Sequence, residues 1–283
     1  MDPQEYSGLA SIKGIGSVLQ GFSCYMGFED TLSDRLSNKQ LERYQQQIYL
    51  REIGGVGQKK WLNSNVLVVG AGGLGCPVLA YLVAAGVGCV GIVDGDRVSL
   101  SNLQRQVLYK TEQVGRFKVD CAREFLAELN PDTEITISSE YVTSDNAEGL
   151  LSSYDMIIDG TDNFATRHLV NQFCVETATP LLTGALNRWD GSVFLQAGGE
   201  CGCYACVFPP DSSPEASDCI TRGIVGGVAG IIGSLMATTA LQYLAGIADA
   251  MCGNMILYSA IDAQFHHVRV LRNAACSVCS GKG

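Results

Sequence analysis

A chain of 283 residues, 47% of them hydrophobic, has enough apolar side chains for one large α/β domain or two small ones. Its formal net charge of −10 denies it the basic surface that a phosphate backbone demands, which excludes nucleic acid as a partner class. Twelve cysteines are spread over this length, and the first residues carry no charged segment followed by an apolar core. A cytoplasmic protein with reduced thiols is therefore expected.

Residues 1–40 hold Gly8, Gly14, Gly16, Gly21 and Gly27 and little apolar periodicity. They read as an N-terminal extension ahead of a domain covering 41–283. A helix is expected over 38–51. The run VLVVG at 66–70 is continuously apolar, as a strand buried on both faces of a parallel sheet must be. A helix over 74–85 and a strand ending at Asp94 follow. After the polar stretch DRVSLSNLQRQVLY, a helix over 117–129 is stopped by Asn130-Pro131. Strands at 134–138 and 156–159 flank a shorter helix, and another helix spans 164–177. LLTGA at 181–185 reads as a strand and 191–197 as a hairpin arm. The tail returns to strands at 255–259 and 265–271. This alternation predicts an α/β fold, a doubly wound Rossmann-like sheet with a zinc-clipped C-terminal part. Residues 223–247 are uncharged and long enough to span a bilayer. Their Gly and Thr content and Gln242 favour a buried helix at a subunit interface, and no membrane association is expected.

Gly70, Gly72 and Gly75 form G-x-G-x-x-G between a strand and a helix, with Gly73 added. Such glycines let backbone N–H groups approach phosphate at a helix N-terminus. Asp94 ends the next strand, where a carboxylate can accept from ribose hydroxyls. This pattern alone does not separate ATP from a nicotinamide dinucleotide. The segment that follows does more. Asn102 can hold phosphate oxygens, and Arg105 and Lys118 can neutralise charge developing when ATP is split between its α and β phosphates. Asp159-Gly160-Thr161-Asp162-Asn163 closes a strand. Asp162 can hold magnesium there, cap the helix opening at Phe164, or do both.

Cys203 and Cys206 lie in CYAC, and Cys276 and Cys279 in CSVC. Two such pairs supply four thiolates to one tetrahedral zinc, which leaves no open position and is therefore structural. Cys219 sits apart in a polar loop, with Arg222 near enough to favour its thiolate and hence a covalent role. Cys76, Cys89, Cys121 and Cys174 fall in apolar segments and read as core. Cys201 reads as a bystander of the zinc pair. His168, His266 and His267 have no ligand spacing and read as surface or satisfied core residues.

Taken together, R-Y-x-x-Q-I at 43–48, G-x-G-G-L-G at 70–75, D-x-D-x-V-x-x-S-N-L-Q-R-Q from Asp94, G-x-x-K ending at Lys118, D-x-T-D-N at 159–163 and both C-x-x-C pairs resemble the MoeB/ThiF/HesA family. These are prokaryotic relatives of ubiquitin-activating enzymes, and the resemblance runs over 41–281. It implies a homodimer with structural zinc that adenylates the C-terminal Gly-Gly carboxylate of a ubiquitin-like sulfur-carrier protein and releases pyrophosphate. Carried over by position, Gly73 and Asp94 would bind the adenosine part. Asn102, Arg105 and Lys118 would hold the triphosphate. Asp162 would bind Mg2+ with Asn163 beside it, and Arg167 would be a further phosphate-side cation. Some members use a cysteine in the place of Cys219 to form a thioester or acyl-disulfide with the carrier. No rhodanese-like domain fits after Cys279, so a separate sulfurtransferase is expected.

One departure bears on activity. The family usually writes R-Y-x-R-Q-I, whose second arginine reaches the neighbouring subunit's ATP. Gln46 stands there in this chain. Either Arg43 or Arg51 compensates, or the protein is a weak catalyst or a non-catalytic scaffold of the same fold. A nicotinamide-dependent oxidoreductase is the more distant alternative, opposed by Arg105, Lys118, Asp162 and the cysteine pairs.

Overall fold

The computed structural model describes residues 36–198, 201–210, 223–247 and 251–280. The extension before Leu36, Cys219 and Arg222 lie outside the described residues. The chain divides into two compact units, 1–45 and 46–283. The smaller is described over Leu36–Gln45, where α1 (Asn38–Ile48) opens. That helix ends before the expected 51, in a turn closed by Leu50 N–H donating to the Gln47 carbonyl at 3.2 Å.

The larger unit is organised around β1 (Asn65–Val69), whose last four residues are buried. Side chains of a strand alternate between the two faces of its sheet. Val66 and Val68 enter one apolar cluster with α3 (Gly75–Ala85), α4 (Lys118–Leu129) and α8 (Gly226–Ala245). Leu67 and Val69 enter another with α5 (Ala147–Leu151) and α6 (Phe164–Thr177). An uninterrupted apolar run is what a strand covered on both faces requires.

The remaining strands are β2 (Cys89–Val93), β3 (Glu134–Ser138), β4 (Met156–Asp159), β5 (Leu181–Asn187), β6 (Asp190–Gln196), β7 (Asn254–Ser259) and β8 (Gln264–Arg269). They form one sheet in the order β3-β2-β1-β4-β5-β6-β7-β8. Pairings from β3 to β5 are parallel, and those from β5 to β8 antiparallel. The chain runs outward from β1 to β2 and β3, then returns to β4 on the other flank of β1. The turns after β1 and β4 diverge there, and such a switch point opens a crevice for ligands.

One helix was not foreseen, and another shows how an apolar segment is packed inside the chain. α2 (Gly54–Leu62) reads GGVGQKKWL, a poor helix former by propensity. Tertiary bonds hold it: Gln58 donates to the Ala85 carbonyl at 3.0 Å and Trp61 Nε1 to the Leu241 carbonyl at 2.8 Å. α8 is long and apolar enough to cross a membrane by length and composition, yet half of that window is buried within the chain. An added Cβ at Gly233 would lie 2.2 Å from Pro77 Cγ of α3, and one at Gly226 would lie 2.2 Å from the Gln104 carbonyl oxygen. The glycines at these two positions therefore serve close packing inside the chain, whereas Gly230 faces open space.

Candidate nucleotide site and cysteine cluster

The glycine loop is shaped by three close approaches. Gly70 has φ +92°, a conformation few other residues adopt, and its added Cβ would meet Gly160 at 3.1 Å. A Cβ on Gly75 would fall 2.0 Å from the Gly70 carbonyl oxygen. The first contact seats the start of the loop against the end of β4, before the two turns diverge, and the second folds the loop tightly on itself. Gly72 and Gly73 lie beneath the polar stretch, with Gln106 Nε2 and Arg105 Cγ at 3.5 and 3.4 Å from their ideal Cβ positions.

Three hydrogen bonds fix this loop. The Tyr109 hydroxyl donates to the Ala71 carbonyl at 2.6 Å, and the Ala71 N–H donates to Asp94 Oδ2 at 2.7 Å. Asp94 Oδ1 accepts from the Asp96 N–H at 2.8 Å. Burial raises the Asp94 carboxyl above its ordinary value, opposed by the Lys118 charge and those backbone donors.

Lys118 opens α4 with its side chain only 3% exposed, and its ammonium donates to Asp96 Oδ2 at 2.7 Å. A buried cation needs such a partner. Burial would raise the Asp96 carboxyl, but hydrogen bonds from Lys118 and Tyr141 outweigh it and leave Asp96 below its ordinary value. Asp96 was not among the expected site residues. Its signal was present as the second acid of the D-x-D doublet at the end of β2. Arg105 and Asn102 also come together, the guanidinium donating to Asn102 Oδ1 at 2.9 Å. Gln106 is a further omission. It is 4% exposed, and its Oε1 has no hydrogen-bond partner.

Asp162 is exposed in the turn after β4. The capping role that its position allowed belongs to Asn163, whose Oδ1 accepts from the Thr166 N–H at 2.8 Å. Arg167, expected as a phosphate-side cation, is buried. One of its terminal nitrogens donates to the Thr161 and Gly184 carbonyls, the latter at 2.7 Å. Its guanidinium thus braces the turn after β4 against β5. Beside it Asp159 is fully buried, with Oδ1 accepting from Thr161 N–H and Oγ1 at 2.8 and 2.7 Å and Oδ2 unpartnered. Burial raises this carboxyl, and the Arg167 charge opposes the shift. Gln46 is exposed on α1.

The four cysteines converge. Cys203 precedes α7 (Tyr204–Val207), Cys206 lies in it, and Cys276 and Cys279 come from the tail after β8. Their sulfurs all lie within 4.8 Å of one another, with 3.9 Å for Cys203–Cys206, 3.7 Å for Cys203–Cys276 and 3.4 Å for Cys206–Cys279. Tetrahedral Zn–S bonds near 2.3 Å separate sulfurs by about 3.8 Å, so the donor set fits such an ion. The Asn273 N–H donates to Cys206 Sγ at 3.4 Å, and the Asn171 amide approaches Cys203 Sγ at 3.8 Å. Burial would raise the Cys276 thiol, but backbone hydrogen bonds at Cys279 and Val278 and bonds to neighbouring sulfurs bring it to about 7. Asn171 also accepts from the Tyr204 N–H at 3.0 Å. It was not foreseen, although it lies four residues beyond Arg167 on one face of α6.

The other cysteines and histidines follow their expectations only in part. Cys76, Cys121 and Cys174 are buried, and Cys89 is half-buried. Cys201 bridges to Leu271 and so helps to seat the tail. His168 is not a satisfied core residue. Neither ring nitrogen has a partner, the ring stands edge-on to Tyr204 at 5.4 Å, and burial lowers its pKa.

Comparison with known proteins supplies the context. A family model described as the ThiF family matches residues 44–278. The sulfur carrier protein adenylyltransferase of Thermus thermophilus is 45% identical over 251 residues, covering 87% of this chain and 93% of that protein. The adenylyltransferase and sulfurtransferase MOCS3 of Culex quinquefasciatus is 40% identical over 255 residues, but this chain spans only 58% of its length. Among solved structures, E. coli MccB with AMPCPP and MccA gives a TM-score of 0.77 at 21% identity, covering 88% of this chain and 76% of that one. PaaA gives 0.71 at 22% identity, covering 90% and 79%. At these identities the two structures speak for the fold alone. The family model spans most of the chain, and the Thermus relative matches 87% of it: the chain belongs to the ThiF family.

Proposed function

We propose that this chain is an ATP-dependent adenylyltransferase that activates the C-terminal Gly-Gly carboxylate of a ubiquitin-like sulfur-carrier protein. One observation carries the reading: Arg105 and Lys118 stand beside a glycine loop and Asp94, at the crevice where the turns after β1 and β4 diverge. A carrier carboxylate oxygen attacks the α-phosphorus and forms the C–O–P link of an acyl-adenylate. The bond to the β-phosphate breaks, and pyrophosphate leaves with the electron pair. Lys118 and Arg105 act on the negative charge that grows on the phosphates, which are positioned against the Gly70–Gly75 backbone. Asp94 holds the ribose side.

Asp162 suits Mg2+, which takes one or two carboxylates and fills its shell with phosphate oxygens and water. When bound, that ion supplies charge neutralisation on the β and γ phosphates. Cys203, Cys206, Cys276 and Cys279 would hold Zn2+, a structural tie between the segment after β6 and the tail. A homodimer, a cytoplasmic location, a separate sulfurtransferase and a covalent role for Cys219 belong to the same reading.

Carrier-dependent ATP–pyrophosphate exchange tests it. Exchange should require a carrier ending in Gly-Gly and vanish when its terminal glycine is removed. A purified protein that binds carrier and ATP but exchanges no pyrophosphate would overturn it in favour of a scaffold. The observation favouring that second reading is Gln46, exposed where the family's arginine is expected.

A further inference from the structure

The hydrogen-bonded group Lys118–Asp96–Tyr141 has a third member that the proposed chemistry leaves unused. Tyr141 lies in the loop after β3 and is 64% exposed. Its hydroxyl nevertheless donates to Asp96 Oδ1 at 2.6 Å, while Asp96 Oδ2 accepts from Lys118 at 2.7 Å. The ring lies directly on Gly95, where an added Cβ would come within 2.8 Å of its Cδ2 and Cε2. Gly95 follows Asp94 at the nucleoside end of the crevice. The loop itself is pinned, the Asn146 amide donating to the Tyr141 carbonyl at 3.0 Å and Asn146 Oδ1 accepting from the Thr143 N–H at 2.7 Å. A tyrosine so exposed, yet held by its hydroxyl, its ring and its backbone carbonyl, is placed by more than the burial of its own surface.

We propose that Tyr141 is a positioning residue of the nucleotide site, orienting Lys118 toward the triphosphate through Asp96 and walling the nucleoside side with its ring. Two physical effects act in one direction. Asp96 is 49% exposed, so without the phenol its carboxylate can swing to water and take the Lys118 ammonium with it. The phenol also draws charge from Asp96, which eases that carboxylate's repulsion of an incoming triphosphate. The close bond is reflected in the phenol, which Asp96 holds up at about 12.

The inference rests on the nucleotide reading above, and the test separates the two. Calorimetric titration with Mg-ATP and with adenosine needs no carrier. Tyr141→Phe keeps the ring and loses the donor. It should weaken ATP binding roughly three- to ten-fold, the range of one ordinary net hydrogen bond, and leave adenosine binding unchanged. Tyr141→Leu removes the ring as well and should weaken both ligands. Melting temperatures of both variants should stay near the parent's, since the side chain is exposed. Equal ATP affinity in Tyr141→Phe and parent overturns the inference and leaves the nucleotide reading standing. Equal losses of ATP and adenosine in Tyr141→Phe also overturn it, because the hydroxyl would then act on the fold or the base. A parent that binds neither ligand overturns both.

Discussion

The nucleotide crevice and the cysteine cluster are built in opposite ways. The crevice draws on the turns at the carboxyl ends of the parallel strands β1, β2 and β4, and its charges rest on partners that a ligand can share. Lys118 leans on half-exposed Asp96, Arg105 on Asn102, and Asp162 faces solvent. The cluster draws on two segments 73 residues apart, as between Cys203 and Cys276, and places three of its four cysteines among buried apolar neighbours. Four thiolates close a tetrahedron and leave nothing for a substrate. The contrast teaches that one site is poised for exchange of partners and the other for permanence. A mutation in the first should change rate or affinity, and one in the second should change stability.

The sharpest test of that division is the largest effect. Lys118→Ala and Arg105→Ala should each lower carrier-dependent pyrophosphate exchange by roughly 10²-fold or more while circular dichroism stays native. Cys276→Ala should do the reverse. Melting temperature should fall by many degrees and zinc content should drop, while the folded fraction still binds ATP, as calorimetry at low temperature would read. A Cys276→Ala protein with parental melting temperature and lost ATP affinity would break the comparison. Asp162→Ala comes next. It should remove magnesium-dependent exchange with almost no change in melting temperature, because its carboxylate faces solvent and the α6 cap is supplied by Asn163.

Acid sharpens the comparison from another side. Asp96 has its folded pKa depressed below the ordinary 3.8. Its stabilising contribution is therefore complete above about pH 4 and is lost as pH falls through the lower, folded value. Half-exposure makes that contribution small. Urea melts of parent and Asp96→Asn should differ least at the lowest pH at which both remain folded. The smallest effect expected is at Gln46. An added cation acting on transition-state charge in Gln46→Arg should raise kcat several-fold with little change in KM. No change would mean that another cation already fills the place.

The glycine loop, Asp94 and the paired C-x-x-C motifs could be read directly because each works through local backbone or short spacing, whereas Asp96, two residues on, gained its place only through Lys118 and Tyr141. Gly70 needs a positive φ, a continuous apolar run needs cover on both faces, and thiolates three residues apart can share an ion. Arg167 shows what position alone does not tell: one of its terminal nitrogens donates to the Thr161 and Gly184 carbonyls, a bracing contact that no motif announces. His168 shows the limit of assuming that a core histidine finds partners.

By itself the sequence determined the α/β class, the glycines of the loop after β1, the cysteine set and the family. Those features depend on residue type, period and spacing along one segment. Only the tertiary structure decided that α2 forms despite its glycines, that α8 packs against α3, that Asn163 rather than Asp162 caps α6, and that Tyr141 reaches Asp96. Each of these depends on groups that meet across separate segments of the chain. Local propensity carries no information about such meetings, and the Trp61 bond to Leu241 or the Pro77 contact with Gly233 outweighs it once the sheet has brought the segments together.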